Sequence, residues 1–281
     1  MRLPNSAQWQ LALPLSIFYI AFFAAPLMLL IGVSFFNDEM LTQPGLESWK
    51  RFVGDAFYWK VTFDTIKLGV YTVCATILIG YPLALVYVQA GPRAKRILLF
   101  IILMPMLLSV VVRTFAWIVI LSEQGVINQT IMPLGLTSTP IRLLQTELGL
   151  VISLTQIEMP LMLLPLISVM ARIDPNLIDA STSLGASRWG TLFKVIVPLS
   201  FPGLIAGCIL VFASSTTAFI SHSIIGGNRL IYLPLMIWQQ ASVLYNWPLA
   251  AVGAIVLLVF VSLCIALVTL VGKRSMRHLY V

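Results

Sequence analysis

The sequence predicts an all-α integral membrane protein with six transmembrane helices and both termini on the cytoplasmic side. Three observations carry this reading. First, 59% of the 281 residues are hydrophobic and only 10% are charged, whereas a soluble domain carries about 25% charged residues. With a mean hydropathy of +0.99 there are too few polar residues to cover a soluble globule. Second, six apolar runs lie at about 12–35, 68–90, 97–121, 148–171, 200–223 and 248–272. Each is near the ~20 residues that cross a bilayer as a helix. Third, lysine and arginine are unevenly shared between alternate loops. Arg2, Arg93, Lys95, Arg96, Arg172, Arg188, Lys194, Lys273, Arg274 and Arg277 make ten basic residues against two acids, Asp174 and Asp179. Lys50, Arg51, Lys60, Lys67, Arg142 and Arg229 make six, against seven acids: Asp38, Glu39, Glu47, Asp55, Asp64, Glu123 and Glu147. The basic excess marks the first set of loops as cytoplasmic. The net charge of +7 is then a matter of topology, and no nucleic-acid motif accompanies it. The chain reads as one transmembrane domain, 1–281.

Taken in order, the first run is too long for a signal peptide, lacks a clear cleavage signature and is followed by five more spans. It is expected to be retained. The outer segment 36–66 mixes Trp49, Phe52, Phe57, Tyr58 and Trp59 with charge, which suits a short helix lying in the membrane interface. Span two carries Gly80-Tyr81-Pro82 at its middle, and the proline predicts a kink. Span three holds Pro105 and Arg113, and span four Glu158, Pro160 and Pro165. Span five holds Ser214, Ser215, Thr216 and Thr217, then Ser221, His222 and Ser223. Prolines and hydroxyls in several spans predict a bundle around a polar path. Cys74, Cys208 and Cys264 all sit in apolar runs and read as small core residues; no metal site or disulfide framework is expected.

The longest polar interruption that still reads as ordered structure is the loop 172–198. Asp174 and Pro175 form a helix start, a carboxylate cap followed by proline at the first helical position. Ile173, Leu177, Ala180 and Leu184 then share one face, and Gly185 stops the helix. Ser187 caps a second helix, on which Trp189, Leu192, Phe193 and Ile196 share a face. Pro198 and Pro202 punctuate the entry to span five.

Glu158 is the sharpest single residue. It lies about 11 residues from the outer end of its span, so roughly 16 Å deep at 1.5 Å per residue. An intramembrane carboxylate is costly and marks either a ligand path or a buried ion pair. Arg113 lies at roughly 12 Å on the same arithmetic, which makes a Glu158–Arg113 pair one reading and solute contact by Glu158 the other. Arg113 alone can also snorkel outward. Ser214 and Thr217 line a path or pack against backbone. Tyr81 and Trp117 are candidate aromatic neighbours for a cationic solute. His222, alone near an outer span end, reads as a hydrogen-bonded interface residue. Catalytic motifs are absent: there is no Walker A loop, no HExxH and no GxSxG. Work done by this chain must be powered from elsewhere, and the folded loop is a natural place to receive it.

The spacing of that loop resembles a known family. Asp179-Ala180-Ser181, three residues, Gly185, nine residues, then Val195-Ile196-Val197-Pro198 is similar to the EAA motif of binding-protein-dependent ABC importer permeases of type I. Asp179 stands for the usual glutamate and Ser181 for the second alanine; the glycine and proline are kept. Gly80-Tyr81-Pro82-Leu83-Ala84, the stretch from Gly125-Val126-Ile127-Asn128 to Thr139-Pro140-Ile141-Arg142, and Pro202 to Cys208 are similar to the first permease of spermidine/putrescine importers. So is Gly226-Gly227. Ser223 departs from that subgroup, which often carries an acid there, and Glu158 is the candidate to supply the charge.

The resemblance implies a multi-pass inner-membrane transport subunit rather than an enzyme. Its implied partners are a second permease chain, related and heterologous, two ATPase subunits, a periplasmic solute-binding protein and the lipid bilayer. It implies no cofactor in this chain; ATP and Mg belong to the ATPase subunits. Asp179, Ala180, Gly185, Arg188 and Pro198 would form the loop that couples to one ATPase. The solute would be a polyamine, or alternatively an opine, an aminophosphonate or another small solute. A secondary transporter or channel acting alone would call for inverted repeats or paired intramembrane charges, and an intramembrane enzyme for a catalytic constellation; neither is visible.

Overall fold

Among the described residues, six stretches are long and apolar enough to cross a membrane. The computed structural model describes residues 13–227 and 229–277, with side chains to 272. Position 12, Arg2, and the side chains of Lys273, Arg274 and Arg277 lie outside the described residues. In chain order the main helices are α1 (Leu13–Val33), α2 (Glu47–Gly54), α3 (Ala56–Gln89), α4 (Pro92–Leu107), α5 (Val110–Leu121), α6 (Val126–Ile131), α7 (Glu147–Met170), α8 (Pro175–Ser183), α9 (Arg188–Thr217), α10 (Leu233–Trp238) and α11 (Trp247–Arg277).

Three boundaries differ from the expected spans. Span two begins at Ala56, so α3 runs 34 residues and passes through Pro82 without a break. Span three begins at Val110 and runs to Ile131, leaving α4 as a separate helix, because Leu108 and Ser109 are extended between α4 and α5. Pro105 has no N–H for the carbonyl four residues back, and α4 ends within a turn of it. Span five begins at Arg188, because the second loop helix runs straight into it. Pro198 and Pro202 therefore lie inside α9 and do not interrupt it. A wide turn at Leu192–Ile196, closed by Val197 N–H donating to Leu192 O, opens the backbone just where the Pro198 ring would otherwise meet the preceding turn.

The chain groups into two compact units. The first comprises Met1–Lys60 and Met236–Leu258. In it, the loop after α1 is tied by Asp38, whose carboxylate accepts from Thr42 N, Thr42 Oγ1 and Gln43 N at 2.6–3.0 Å. The Thr42 hydroxyl, then the Gln43 amide, holds that exposed carboxyl down at about 2. Phe52 is fully buried against Tyr58, ring centroids 5.0 Å apart, which turns the aromatic outer segment into a packed corner after α2.

The second unit comprises Val61–Leu235 and Val259–Val281. Its centre is α7, with Leu150, Leu154, Met162, Leu163 and Leu166 fully buried. Small residues bring α9 against it. A Cβ on Gly203 would lie 2.8 Å from Pro165 O, and one on Gly207 2.7 Å from Met162 Sδ and 3.0 Å from Met162 O. Helices in lipid associate by such close approach, since hydrocarbon supplies no hydrophobic drive between them. Gly203→Val is expected to destabilise the chain by about 1–3 kcal/mol, because a backbone carbonyl cannot move aside as a side chain can. A thermal midpoint in detergent equal to that of the parent protein would refute this packing. At the opposite end from the 172–198 loop, Lys67 on α3 bridges Asp64 (3.5 Å) and Glu147 at the start of α7 (3.1 Å). Thr65 Oγ1 accepts from Leu233 N at 2.9 Å, fixing the start of α10.

Candidate functional site

Two features of the second unit bear on function, and the loop between α7 and α9 is the first. Asp174 caps α8 by accepting from Asn176 N at 2.9 Å, with Pro175 in the first turn. The helix ends in a Schellman motif: Gly185 N donates to Thr182 O (2.9 Å) and Ala186 N to Ser181 O (3.1 Å). Gly185 takes φ +82°, a conformation that side chains resist. Ser187 then caps α9 by accepting from Gly190 N at 3.1 Å. Ser181 does more than stand in for a small residue. Its hydroxyl meets Thr191 Oγ1 at 3.0 Å and clips α8 to the first turn of α9. The sequence held no signal for this clip, since the two residues are ten apart and on different helices.

The outward face of the loop is apolar. Leu184 is 89% exposed and Trp189 70%, and Trp189 stacks on Phe193 with centroids 6.1 Å apart. Leu177, Asp179, Ala180 and Arg188 are exposed as well, while Pro198 is half-buried in α9.

The second feature is a cavity of about 460 Å³ lined by α4, α5, α7 and the end of α9. That is within the range of small-molecule sites. Arg113, Glu158, Ser214, Thr217 and Ser221 supply its polar lining, and Met106, Pro160 and Phe219 part of its apolar wall. α9 stops at Thr217 because Ala218 leaves helical geometry at ψ 63°. The chain resumes as a short helical segment at 219–226, which carries Ser221 into the cavity wall.

Glu158 is 5% exposed, and the Ser214 hydroxyl lies beside its carboxylate. Of the two readings for Glu158, the ion pair with Arg113 is not formed: no contact within 4.0 Å joins them. Arg113 Nη1 donates instead to Ile157 O at 3.3 Å, and its Nε is buried without a partner. That carbonyl belongs to the residue preceding Glu158, so the guanidinium is held near the carboxylate without closing on it.

The four-residue hydroxyl cluster divides by face. Ser215 and Thr216 are fully buried and bond back to Phe212 O at 3.2 and 2.8 Å, while Ser214 and Thr217 reach the cavity. Tyr81 and Trp117 do not line it. The Tyr81 phenol pairs with Ser200 Oγ at 2.8 Å, and the Trp117 indole donates to Gln156 Oε1 at 3.1 Å beside a separate, largely apolar cavity. Sequence separation says nothing about which helix faces meet, so these aromatics were plausible neighbours that packing sends elsewhere. His222 is fully buried among protein atoms, its ring 4.9 Å from that of Tyr232. Among the described residues, no group of three His, Cys, Asp or Glu side chains is arranged to hold a metal ion.

Residues 76–277 match the family described as "Binding-protein-dependent transport system inner membrane component". The chain belongs to that family. It is accordingly a multi-pass inner-membrane transport subunit of the ABC importer type, with no catalytic role of its own, that works with a solute-binding protein.

The matched segment of this permease contains both the loop and the cavity. The chain is 28% identical over 275 residues to the spermidine/putrescine transport system permease protein PotB of Haemophilus influenzae, covering 94% of each chain. It is 29% identical to the protein of the same name from Escherichia coli, covering 92% of this chain and 94% of the other. Its fold is that of a chain in a bacterial ABC transporter involved in the import of the acidic polysaccharide alginate, with a TM-score of 0.76, 15% identity and 96% of each chain covered. A second structure of an alginate ABC transporter, in complex with an alginate pentasaccharide-bound periplasmic protein, gives the same TM-score at 16% identity.

Proposed function

We propose that this permease carries a small organic amine of the polyamine class from a periplasmic binding protein across the inner membrane, and that the solute passes through the cavity beside Glu158. The observation that carries the reading is the buried carboxylate at the wall of a cavity that also holds Arg113, Ser214 and Thr217, among helices that must otherwise satisfy lipid. A carboxylate in that position favours a cationic solute, and the two PotB relatives bear polyamines in their names. The family itself says nothing of the solute.

The 172–198 loop is the site where an ATPase subunit docks. The loop and both termini lie in the cytoplasm, following the basic residues. Two such subunits bind ATP and Mg, and a second, related permease chain completes the pathway. ATP-driven closure of the ATPase pair moves α8 as a rigid lever, held by its Schellman turn and by the Ser181–Thr191 clip. The two permeases then rock between inward- and outward-facing states, each selected by differential contacts with nucleotide and binding protein.

Reconstitution tests this directly. The chain is co-expressed with its partner permease and ATPase, placed in proteoliposomes with binding protein, and assayed for uptake of labelled putrescine and spermidine. Uptake that needs both ATP and binding protein is expected. Ion-gradient-driven uptake by the purified chain alone would overturn the reading.

A further inference from the structure

We propose that the seam between α3, α4 and α7 seats one anionic phospholipid of the cytoplasmic leaflet, with its phosphate at Lys95 and one acyl chain in the apolar cavity beside Trp117. The claim is independent of the solute path.

Two cavities lie along this seam. The first, of about 260 Å³, is at the root of the 172–198 loop and is walled by Val88 and Gln89 of α3, Lys95 of α4, Met170 of α7, and Ile173 and Ile178 around the start of α8. Among the described residues Lys95 is its one charged lining side chain. Lys95 is half-buried, and among the described residues it forms no ion pair. Neither acid of the loop lines the cavity: Asp174 is engaged in capping α8, and Asp179 is exposed on that helix.

The second cavity, of about 420 Å³, is walled by Ile79, Leu83, Ile102, Pro105 and Met159. Its Thr155 hydroxyl bonds back to Val151 O at 2.6 Å and its Trp117 indole donates to Gln156 Oε1, so both donors are used within the protein. Ile79 and Ile101, which also line it, are more than half exposed, so the cavity opens at the surface of the chain.

Lys95 and Ile102 are seven residues apart, so they share a face of α4, about 10 Å apart along its axis. A cation thus sits at one end of an apolar strip, on the side that the basic residues mark as cytoplasmic. An anionic amphiphile is the complement of that arrangement, and basic pockets between helices on this side of a membrane bind anionic head groups. The lengths agree. Half of the ~30 Å hydrocarbon core is about 15 Å, and Pro105, ten residues beyond Lys95, lies about 15 Å from it along the helix. Arg93 is two residues from Lys95, on the opposite face, and does not line the cavity. The attraction is therefore local to Lys95 and is not shared by the whole basic turn.

The assembled permease–ATPase complex is equilibrated with phosphatidylglycerol and phosphatidylcholine in equal amounts, and the lipid that stays bound after detergent washing is counted by native mass spectrometry. Phosphatidylglycerol is expected to be retained over phosphatidylcholine by about fivefold, the contribution of one basic side chain near an anionic head group. Lys95→Gln should bring the ratio to parity, Lys95→Arg should keep it, and Arg93→Gln should leave it unchanged. Leu83→Trp, which fills the second cavity, should lower the retention of both lipids together. The thermal midpoint of each variant in phosphatidylcholine alone controls for folding.

Equal retention of the two lipids by the parent complex overturns the site. So does an equal loss of preference in Lys95→Gln and Arg93→Gln, which would mean a diffuse attraction by all the basic residues of that side. Unchanged retention in Leu83→Trp overturns the acyl seat. Release of phosphatidylglycerol by millimolar glycerol phosphate would assign Lys95 to a soluble phosphate instead of a lipid. If the parent complex retains neither lipid, a protein chain covers the seam and the proposal fails.

Discussion

Glu158→Gln is expected to raise the KM for ATP-driven amine uptake by roughly ten- to hundredfold, the worth of a hydrogen bond to a charged group. The substitution keeps size and shape and removes only the charge, so the helix pair α7–α9 remains packed. It should also leave the thermal midpoint of the complex equal or higher. A carboxylate that is 5% exposed and makes no ion pair has lost hydration that no opposite charge repays, so exchange for a neutral amide of the same shape is expected to be neutral or stabilising. The two readouts therefore separate a solute contact from a structural residue. Unchanged uptake in a normally assembled complex excludes an essential charge at this position. A fall in melting temperature with unchanged KM would mean that Glu158 serves the fold.

Gly185→Pro should abolish copurification with the ATPase subunit while membrane insertion continues. Two independent losses combine. Proline is locked near φ −65°, whereas the turn needs +82°. Proline also removes the N–H that donates to Thr182 O at 2.9 Å. The Schellman turn then fails, and α8 no longer meets α9 at the angle set by the Ser181–Thr191 clip. Gly185→Ala is the informative companion. Nothing lies within 4 Å of a Cβ placed there, so alanine meets only backbone strain, about 1–2 kcal/mol, and docking should be weakened rather than lost. Asp179→Arg reverses an exposed charge on the same helix and should also prevent docking. Pull-down of the tagged permease from detergent extract reads all three. Normal assembly of the proline variant would refute the role of the loop.

Local features of this protein were legible because their causes are local. The Asp174 cap, the glycine stop at 185 and the Ser187 cap each depend on residues within one turn of chain. Membrane-length helices follow from hydrocarbon thickness and composition alone. Where a local rule met a neighbouring element, it was outweighed. By local rule Pro198 and Pro202 punctuate the entry to span five, yet α9 runs through both, and a wide turn at Leu192–Ile196 makes room for Pro198.

By itself, then, the sequence determined the helical class, the spans to within a turn or two at most ends, and the helix–glycine–helix loop. It also marked Glu158 and Arg113 as intramembrane charges. Only the tertiary structure decided which polar groups meet. It sends Tyr81 to Ser200 and Trp117 to Gln156, buries His222 against Tyr232, and brings Ser221 to the cavity shared by Glu158 and Arg113. The physical reason is rotation. A residue's depth follows from its count along the helix at 1.5 Å each, but the direction it faces depends on how α7 and α9 settle around Gly203 and Gly207. That contact is between residues some forty positions apart, and no periodicity within either helix records it.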